Sequence, residues 1–375
     1  MSELLRYLNV HHREMLRDLE EFVTRETPTT DKELTDAFAR FLADYAQAMG
    51  GRAEIVPVRE RGDHLRVSWG DEESGKPVLL LGHFDTVWDA GTLERMPFCI
   101  EGHTARGPGV FDMKGGLVQG FWAVRALREV SGVDRPIVFL CNSDEEMHSL
   151  YSRELIEREA KNAAAVLVLE SSTDGRLTTA RKGVGSFRVE VIGREAHAGS
   201  NPFGGVSAID ELARLTLELH GHTDRETGTT VNVGVVEGGT RVNVVAGRAS
   251  AKVNLRVVTE EEAGRMTDLI RNLKPHNDEA RVEVSGGMVR PPMERTESTA
   301  RFFEHARRLA AGLGFELEEQ MSGGGSDGNF CAALGVPTLD GLGAVGGGAH
   351  AAHEHMRVDV MPQRAALVAR LLETL

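Results

Sequence analysis

Apolar residues in this chain gather into short unbroken runs at some places and into helical or alternating patterns at others. "KPVLLLGH", "RPIVFLCN", "AAAVLVLE" and "VPTLDGLG" are unbroken runs, the signature of strands buried on both faces. Helical spacing separates the first of them. "GGLVQGFWAVRALREV" sets Leu117, Phe121, Val124 and Leu127 on one face, and "SRELIEREAKN" is a second helix. Strands alternating with helices predict an α/β fold with a mostly parallel central sheet flanked by helices. The opening "MSELLRYLNVHHREMLRDLEEF" reads as one amphipathic helix.

Near residue 184 the grammar changes. "GSFRVEVIG" alternates with period two, "GGVSAIDELARLTLELH" is helical, and "TTVNVGVVEGG" and "SAKVNLRVVT" follow as two strands. "EEEAGRMTDLIRNLK" is again helical and "ARVEVSGGM" a last strand. The order βαββαβ is a ferredoxin-like split unit, complete as a small domain. After "PPMERTES" the α/β style resumes with the helix "TARFFEHARRLAAGLG". The expected organisation is a large domain formed by residues 1–180 and 291–375, with the small domain inserted at 181–290. A chain of 375 residues exceeds one compact core, in keeping with two domains.

Charge and cysteine usage narrow the partners. Net charge is -14, from 43 basic and 57 acidic residues, with no basic run. Phosphate binding needs a concentrated basic patch, which argues against nucleic acid. The small sheet also lacks the aromatic platform of RNA-binding sheets. Cys99, Cys141 and Cys331 are odd in number and form no CxxC pair, so neither a disulfide framework nor a thiolate zinc knuckle is expected. No signal-type apolar core opens the chain, and no stretch reaches the roughly 18 apolar residues of a membrane span. A cytoplasmic protein without a membrane partner is expected.

The chemistry lies where the apolar runs end. "VLLLGHFD" delivers His83 and Asp85, "IVFLCNSDEE" delivers Glu145 and Glu146, and "AVLVLE" delivers Glu170. "VPTLDGLGAVGGGAHAAHEHM" delivers His350 after a glycine-rich loop, and Asp112 in "RGPGVFDMKGG" precedes the helix carrying Leu117. Sites in open α/β sheets assemble beyond the carboxyl ends of the strands, so these residues can converge. Each alone has an ordinary reading: a loop histidine, a solvated acidic turn, a helix cap at Asp112. The joint occurrence points to a metal centre. Two histidines and three carboxylates suit zinc, and one carboxylate must bridge if each of two metals is to gain three ligands. Two divalent ions carry four positive charges, which three carboxylates and one hydroxide offset, favouring a water nucleophile. If "DEE" is extended, Glu146 faces the metals while Glu145 turns elsewhere in the cleft, free to act as general base. Asp85 is placed to hold the other ring nitrogen of His83.

"GHFDTV", "GPGVFDMKGG", "NSDEEMHS", "REAHAGSNP", "GGGSDG" and "GGGAHAAHEHM" together resemble the motif series of the di-zinc peptidase family that includes aminoacylase, acetylornithine deacetylase, succinyl-diaminopimelate desuccinylase and glutamate carboxypeptidase. The likeness runs in order along nearly the whole chain and is nearest the glutamate carboxypeptidase branch. It implies one Zn²⁺ on His83, Asp112 and Glu170 and a second on Asp112, Glu146 and His350, with Co²⁺ or Mn²⁺ as possible substitutes. It also implies a cis peptide after Asp112 and Glu145 as the base. Glutamate at position 170 resembles carboxypeptidase and deacylase members, whereas aminopeptidases tend to carry aspartate there.

The resemblance further implies that the inserted domain is a lid through which the chain forms a homodimer. His197 matches the histidine that dimeric relatives insert into the partner's active site to stabilise the oxyanion; unaided, it reads as a turn histidine. Asn243 and Arg290 resemble substrate-contacting residues, Arg290 as receiver of a carboxylate. Gly323, Gly324, Gly325 and Ser326 are suited to a nest of N–H groups for an anion. Two departures stand near the substrate: Glu354-His355-Met356 replaces a Glu-Tyr-Val-like triplet, and Ala246 replaces a proline. His353 rivals His350, and the spacing to Glu354 favours His350. The expected function is hydrolysis of an amide beside a free carboxylate, in N-acyl amino acids, dipeptides or folate-like conjugates. The alternatives are a biosynthetic deacetylase or desuccinylase, and a non-catalytic metal-dependent binding protein of the same fold.

Overall fold

The computed structural model describes residues 2–375, which divide into two compact units. One comprises residues 2–180, Arg295–Met321 and Ser326–Leu375; the other comprises Arg181–Glu294 and Ser322–Gly325.

The first unit is built on a six-stranded sheet in the order Arg52–Val56, His64–Trp69, Ile137–Asn142, Val78–His83, Ala165–Val168, Thr338–Leu339. The last four strands are parallel and correspond to the four apolar runs. The first two are antiparallel additions at one edge. Arg52–Val56 has no buried residue, so it carries no apolar run by which to recognise it. Residues alternate between two cores. Val78 and Leu80 pack with the helix Gly115–Val130, the amino-terminal helices and the last helix, Met361–Thr374. Leu79 and Leu81 pack on the other side with Ile156, Phe330 and Cys331. Burying a leucine on either side contributes about 1.5–3 kcal/mol.

Three local expectations differ from the structure. The opening segment is two helices, Glu3–Val10 and His12–Val23, because His11 leaves helical geometry between them (φ -94°, ψ 11°). The helix Gly115–Val130 is not amphipathic in use. Every residue from Gly115 to Val124 is buried, with Gly116 and Gly120 allowing close approach to Leu169. The "VPTLDGLG" run forms only a two-residue strand, Thr338–Leu339, before its glycines bend away.

The second unit contains a four-stranded antiparallel sheet, ordered Thr230–Gly238, Arg248–Val257, Gly183–Ile192, Arg281–Arg290. With helices Ala208–His220 and Glu260–Arg271 it follows the βαββαβ order. Ser207 and Thr259 cap those helices by accepting the N–H of Asp210 and Glu262. Phe187, Val189 and Val191 alternate inward against Leu212, Leu215, Met266 and Ile270.

Candidate metal centre

The centre is assembled from strand ends and loops of the first unit. His83 is the last residue of its strand and is buried. Its Nε2 lies 3.3 Å from Asp112 Oδ1 and 3.6 Å from Glu170 Oε1. His350 follows Gly348 in a left-handed conformation (φ 60°), which turns its ring toward the same carboxylate. Its Nε2 lies 3.4 Å from Asp112 Oδ2 and 3.2 Å from Glu146 Oε2. Asp112 thus presents one oxygen to each histidine. The donor atoms of His83, Asp112 and Glu170 lie within 4.8 Å of one another, as do those of Asp112, Glu146 and His350. The Asp112–Met113 peptide is cis.

Electrostatics show how concentrated the negative charge is. Burial pushes His83 down, but Asp112 and Asp85 overcome it and hold the ring well above the usual histidine range. Asp112 and Glu146 push His350 up to about 10. Burial would raise Asp112, yet His350 and His83 hold it below the usual carboxylate range. Glu146 is raised, chiefly by burial, and its buried Oε1 has no hydrogen-bond partner. An orphaned carboxylate oxygen among two imidazoles and two further carboxylates is a donor set that fits divalent cations, zinc in particular.

Around these groups runs a set of hydrogen bonds that fixes the backbone. The Nδ1 of His83 lies 3.0 Å from the Asp85 carbonyl and 3.3 Å from its Oδ1, so the main chain shares the orienting role expected of the carboxylate. Asp85 also accepts the N–H groups of Glu145 and Glu146, each at 3.2 Å, and the Thr29 hydroxyl at 2.8 Å. Glu145–Met147 is a 3₁₀ turn rather than an extended stretch. The two glutamates therefore diverge by roughly a third of a turn, not by strand alternation. Glu354, buried, accepts from Trp88 Nε1 and from the N–H groups of Gly109, Phe111 and Asp112 at 2.8–3.0 Å. His353, the rival ligand, is exposed and belongs to neither triad. Thr29 lies far from every motif, and Trp88, although it directly follows "GHFDTV", carries no signal of its own.

The remaining expected residues lie mostly in the second unit. His197 is exposed, and its Nδ1 accepts the N–H groups of Gly199 and Ser200 at 3.1 and 3.0 Å. The ring proton then sits on Nε2, directed outward. Asn243 is exposed and its carbonyl accepts from Ala198. Arg290 is buried against Gly325, where a Cβ would stand 2.9 Å from its Cδ. Two N–H groups of the expected nest are already engaged, Gly324 with Ser322 Oγ and Ser326 with Asn329 Oδ1. The Ser326 hydroxyl, in the first unit, donates to Asp340.

Two ligand triads sharing one carboxylate, with His83, Glu146 and Glu170 at or just beyond the carboxyl ends of parallel strands, fit the metal-dependent hydrolases that work with two ions. The chain belongs to Peptidase family M20/M25/M40, which it matches over residues 79–374. It is 31% identical over 372 residues to carboxypeptidase G2 of Pseudomonas sp. strain RS-16, covering 96% of this chain and 88% of that one. Its fold is similar to that of aminopeptidase PepT from Bacillus cereus (TM-score 0.77, 24% identity, 96% and 98% of the chains covered). It is also similar to that of Bacillus subtilis YXEP, described as a dinuclear metal-binding peptidase (TM-score 0.70, 15% identity, 98% and 100% covered). The protein is therefore a metal-dependent hydrolase of peptide or amide bonds. Among its described residues no helix is long and apolar enough to cross a membrane.

Proposed function

We propose that this hydrolase cleaves an amide next to a free carboxylate, in N-acyl amino acids, dipeptides or folate-like conjugates, as a carboxypeptidase. The observation that carries the reading is Asp112, with one oxygen toward His83 and the other toward His350. His83, Asp112 and Glu170 would hold one zinc ion, and Asp112, Glu146 and His350 a second. When bound, such ions polarise a carbonyl and lower the pKa of water to about 7. Glu145 takes the proton of the attacking water and passes it to the leaving amine. The outward Nε2–H of His197 is a donor suited to a developing oxyanion. Asn243, Arg290 and Gly325 are assigned to the substrate by resemblance. Glu170, rather than aspartate, supports a carboxypeptidase or deacylase over an aminopeptidase.

The partner we propose is a second copy of the chain, joined through the small domain. Its edge strand Thr230–Gly238 exposes Val235 and Val236, and the adjacent helix Ala208–His220 exposes Leu217 at 76%. A cytoplasmic location accords with three free cysteines.

The test is a panel of N-acyl amino acids, dipeptides and glutamate conjugates with zinc, cobalt and manganese, each beside its analogue lacking the α-carboxylate. EDTA-sensitive cleavage restricted to the carboxylates is expected; equal cleavage of the analogues overturns the reading, and preference for N-acetyl or N-succinyl substrates identifies a deacylase. Glu145→Ala should keep its metal and lose about 10²–10⁴ in turnover. Full turnover in that variant excludes Glu145 as the base.

A further inference from the structure

We propose that His64 is a positioning residue for the turn that presents Glu145: from the neighbouring strand, its ring accepts the main-chain N–H of Ser143 and so fixes where that turn begins. The proposal rests on Glu145 acting as the base.

His64 opens the strand His64–Trp69, whose Leu65 pairs with Cys141 of the strand ending at Asn142. The ring therefore stands at the point where the chain leaves the sheet toward Glu145. It is 1% exposed. Its Nδ1 lies 3.3 Å from the Ser143 nitrogen and 3.1 Å from Ser143 Oγ. The hydrogen of a main-chain N–H has no freedom, so Nδ1 must be the acceptor and the proton must sit on Nε2. The Ser143 hydroxyl hydrogen goes instead to the Gly62 carbonyl. The main-chain N–H and the hydroxyl of Ser143 are thus both held by one short segment, residues 62–64.

That segment is itself immobilised. A Cβ on Gly62 would stand 2.4 Å from Thr35 Oγ1 and 3.1 Å from Ser143 Cβ, so only glycine permits the approach. Asp63 donates its N–H to Asp36 at 2.8 Å and accepts from Val58 N–H and Lys32 Nζ, both at 2.9 Å. On the far side, the Ser149 hydroxyl donates to Asp327, and Asp144 accepts the Tyr151 N–H at 2.7 Å. Asp85 holds the middle through Glu145 and Glu146. The described hydrogen bonds of the His64 ring go to Ser143, not to a proposed metal ligand. Its loss should displace the base without displacing the metals.

Asparagine places an acceptor oxygen close to the position of histidine Nδ1, glutamine places it one bond farther out, and leucine has none. The three variants are compared with wild type by kcat, KM, zinc content and the visible spectrum of the cobalt-loaded enzyme, using the best substrate of the panel. His64→Leu should lower kcat by up to about 10²-fold, as expected for a base about 1 Å out of place, with KM, zinc content and cobalt spectrum unchanged. His64→Asn should retain kcat to within a few-fold, and His64→Gln should fall between. Should His64→Leu not fold, the Asn–Gln difference decides. Equal kcat in Asn and Gln variants, or a fall in kcat matched by loss of zinc, overturns the proposal. If Glu145→Ala stays active, the reading of the base fails instead; an inactive Glu145→Ala beside a fully active His64→Leu defeats the positioning role alone.

Discussion

The Glu354 carboxylate accepts the main-chain N–H of Asp112 at 3.0 Å. The same carboxylate takes Gly109, Phe111 and the Trp88 indole, so the segment that follows His350 is tied directly to the loop carrying the shared aspartate.

Replacing Glu354 with alanine leaves four donors without their partner. Hydrogen bonds to a charged acceptor contribute more than neutral ones, and buried unpaired donors are costly. The variant is expected to lose about 3–5 kcal/mol of stability in urea denaturation, together with metal affinity, because Asp112 and His350 are both released from their mutual frame. Glu354→Gln should recover only part. Wild-type stability in Glu354→Ala would show that the network is idle.

The two histidines bind protons strongly while the metal is absent, and this fixes the sign of the pH dependence. His350 is raised to about 10 and His83 well above its ordinary value. Metal must displace those protons, so affinity should rise with pH across the range from about 6.5 to 10, with protons released on binding. For metal-free stability the raised His350 contributes fully below about 6.5 and is lost as pH climbs through about 10. The lowered Asp112 contributes above about 4 and is lost as pH falls through its depressed value. Chelator competition and thermal melts with and without zinc, taken across that range, check both directions; an affinity independent of pH would contradict them.

Arg364 tests how the Glu170 segment is held. From the last helix this buried guanidinium donates to the carbonyls of Gly343 at 3.2 Å, Gly175 at 2.9 Å and Gly341. Gly343 in turn donates its N–H to the Glu170 carbonyl at 2.9 Å, and a Cβ there would meet Leu169 O at 2.0 Å. Arg364→Met should cost about 2–3 kcal/mol and weaken metal binding, and Arg364→Lys should fall between, since an ammonium cannot span the planar fan of carbonyls. Urea titration and zinc affinity on the same samples give the comparison.

Sequence alone determined the parts whose physics is local. A strand buried on both faces must be apolar throughout, so the four parallel strands declared themselves, and their polar ends drew attention to His83, Glu146 and Glu170, with Asp112 before a helix and His350 after a glycine-rich loop. The period-two and helical patterns of 183–290 likewise fixed the order of the ferredoxin-like elements. Tertiary structure alone decided what depends on residues far apart in the chain. The buried strand beginning at His64 interleaves His64, Arg66 and Ser68 with its apolar residues and so carries no unbroken apolar run, and the clamp of Glu354 on Asp112 joins positions 242 residues apart. The 3₁₀ turn at Glu145 follows from hydrogen bonds to Asp85, 60 residues away, rather than from its own residues. Patterns of burial are written into each segment, whereas hydrogen-bond partners are selected only when the segments meet.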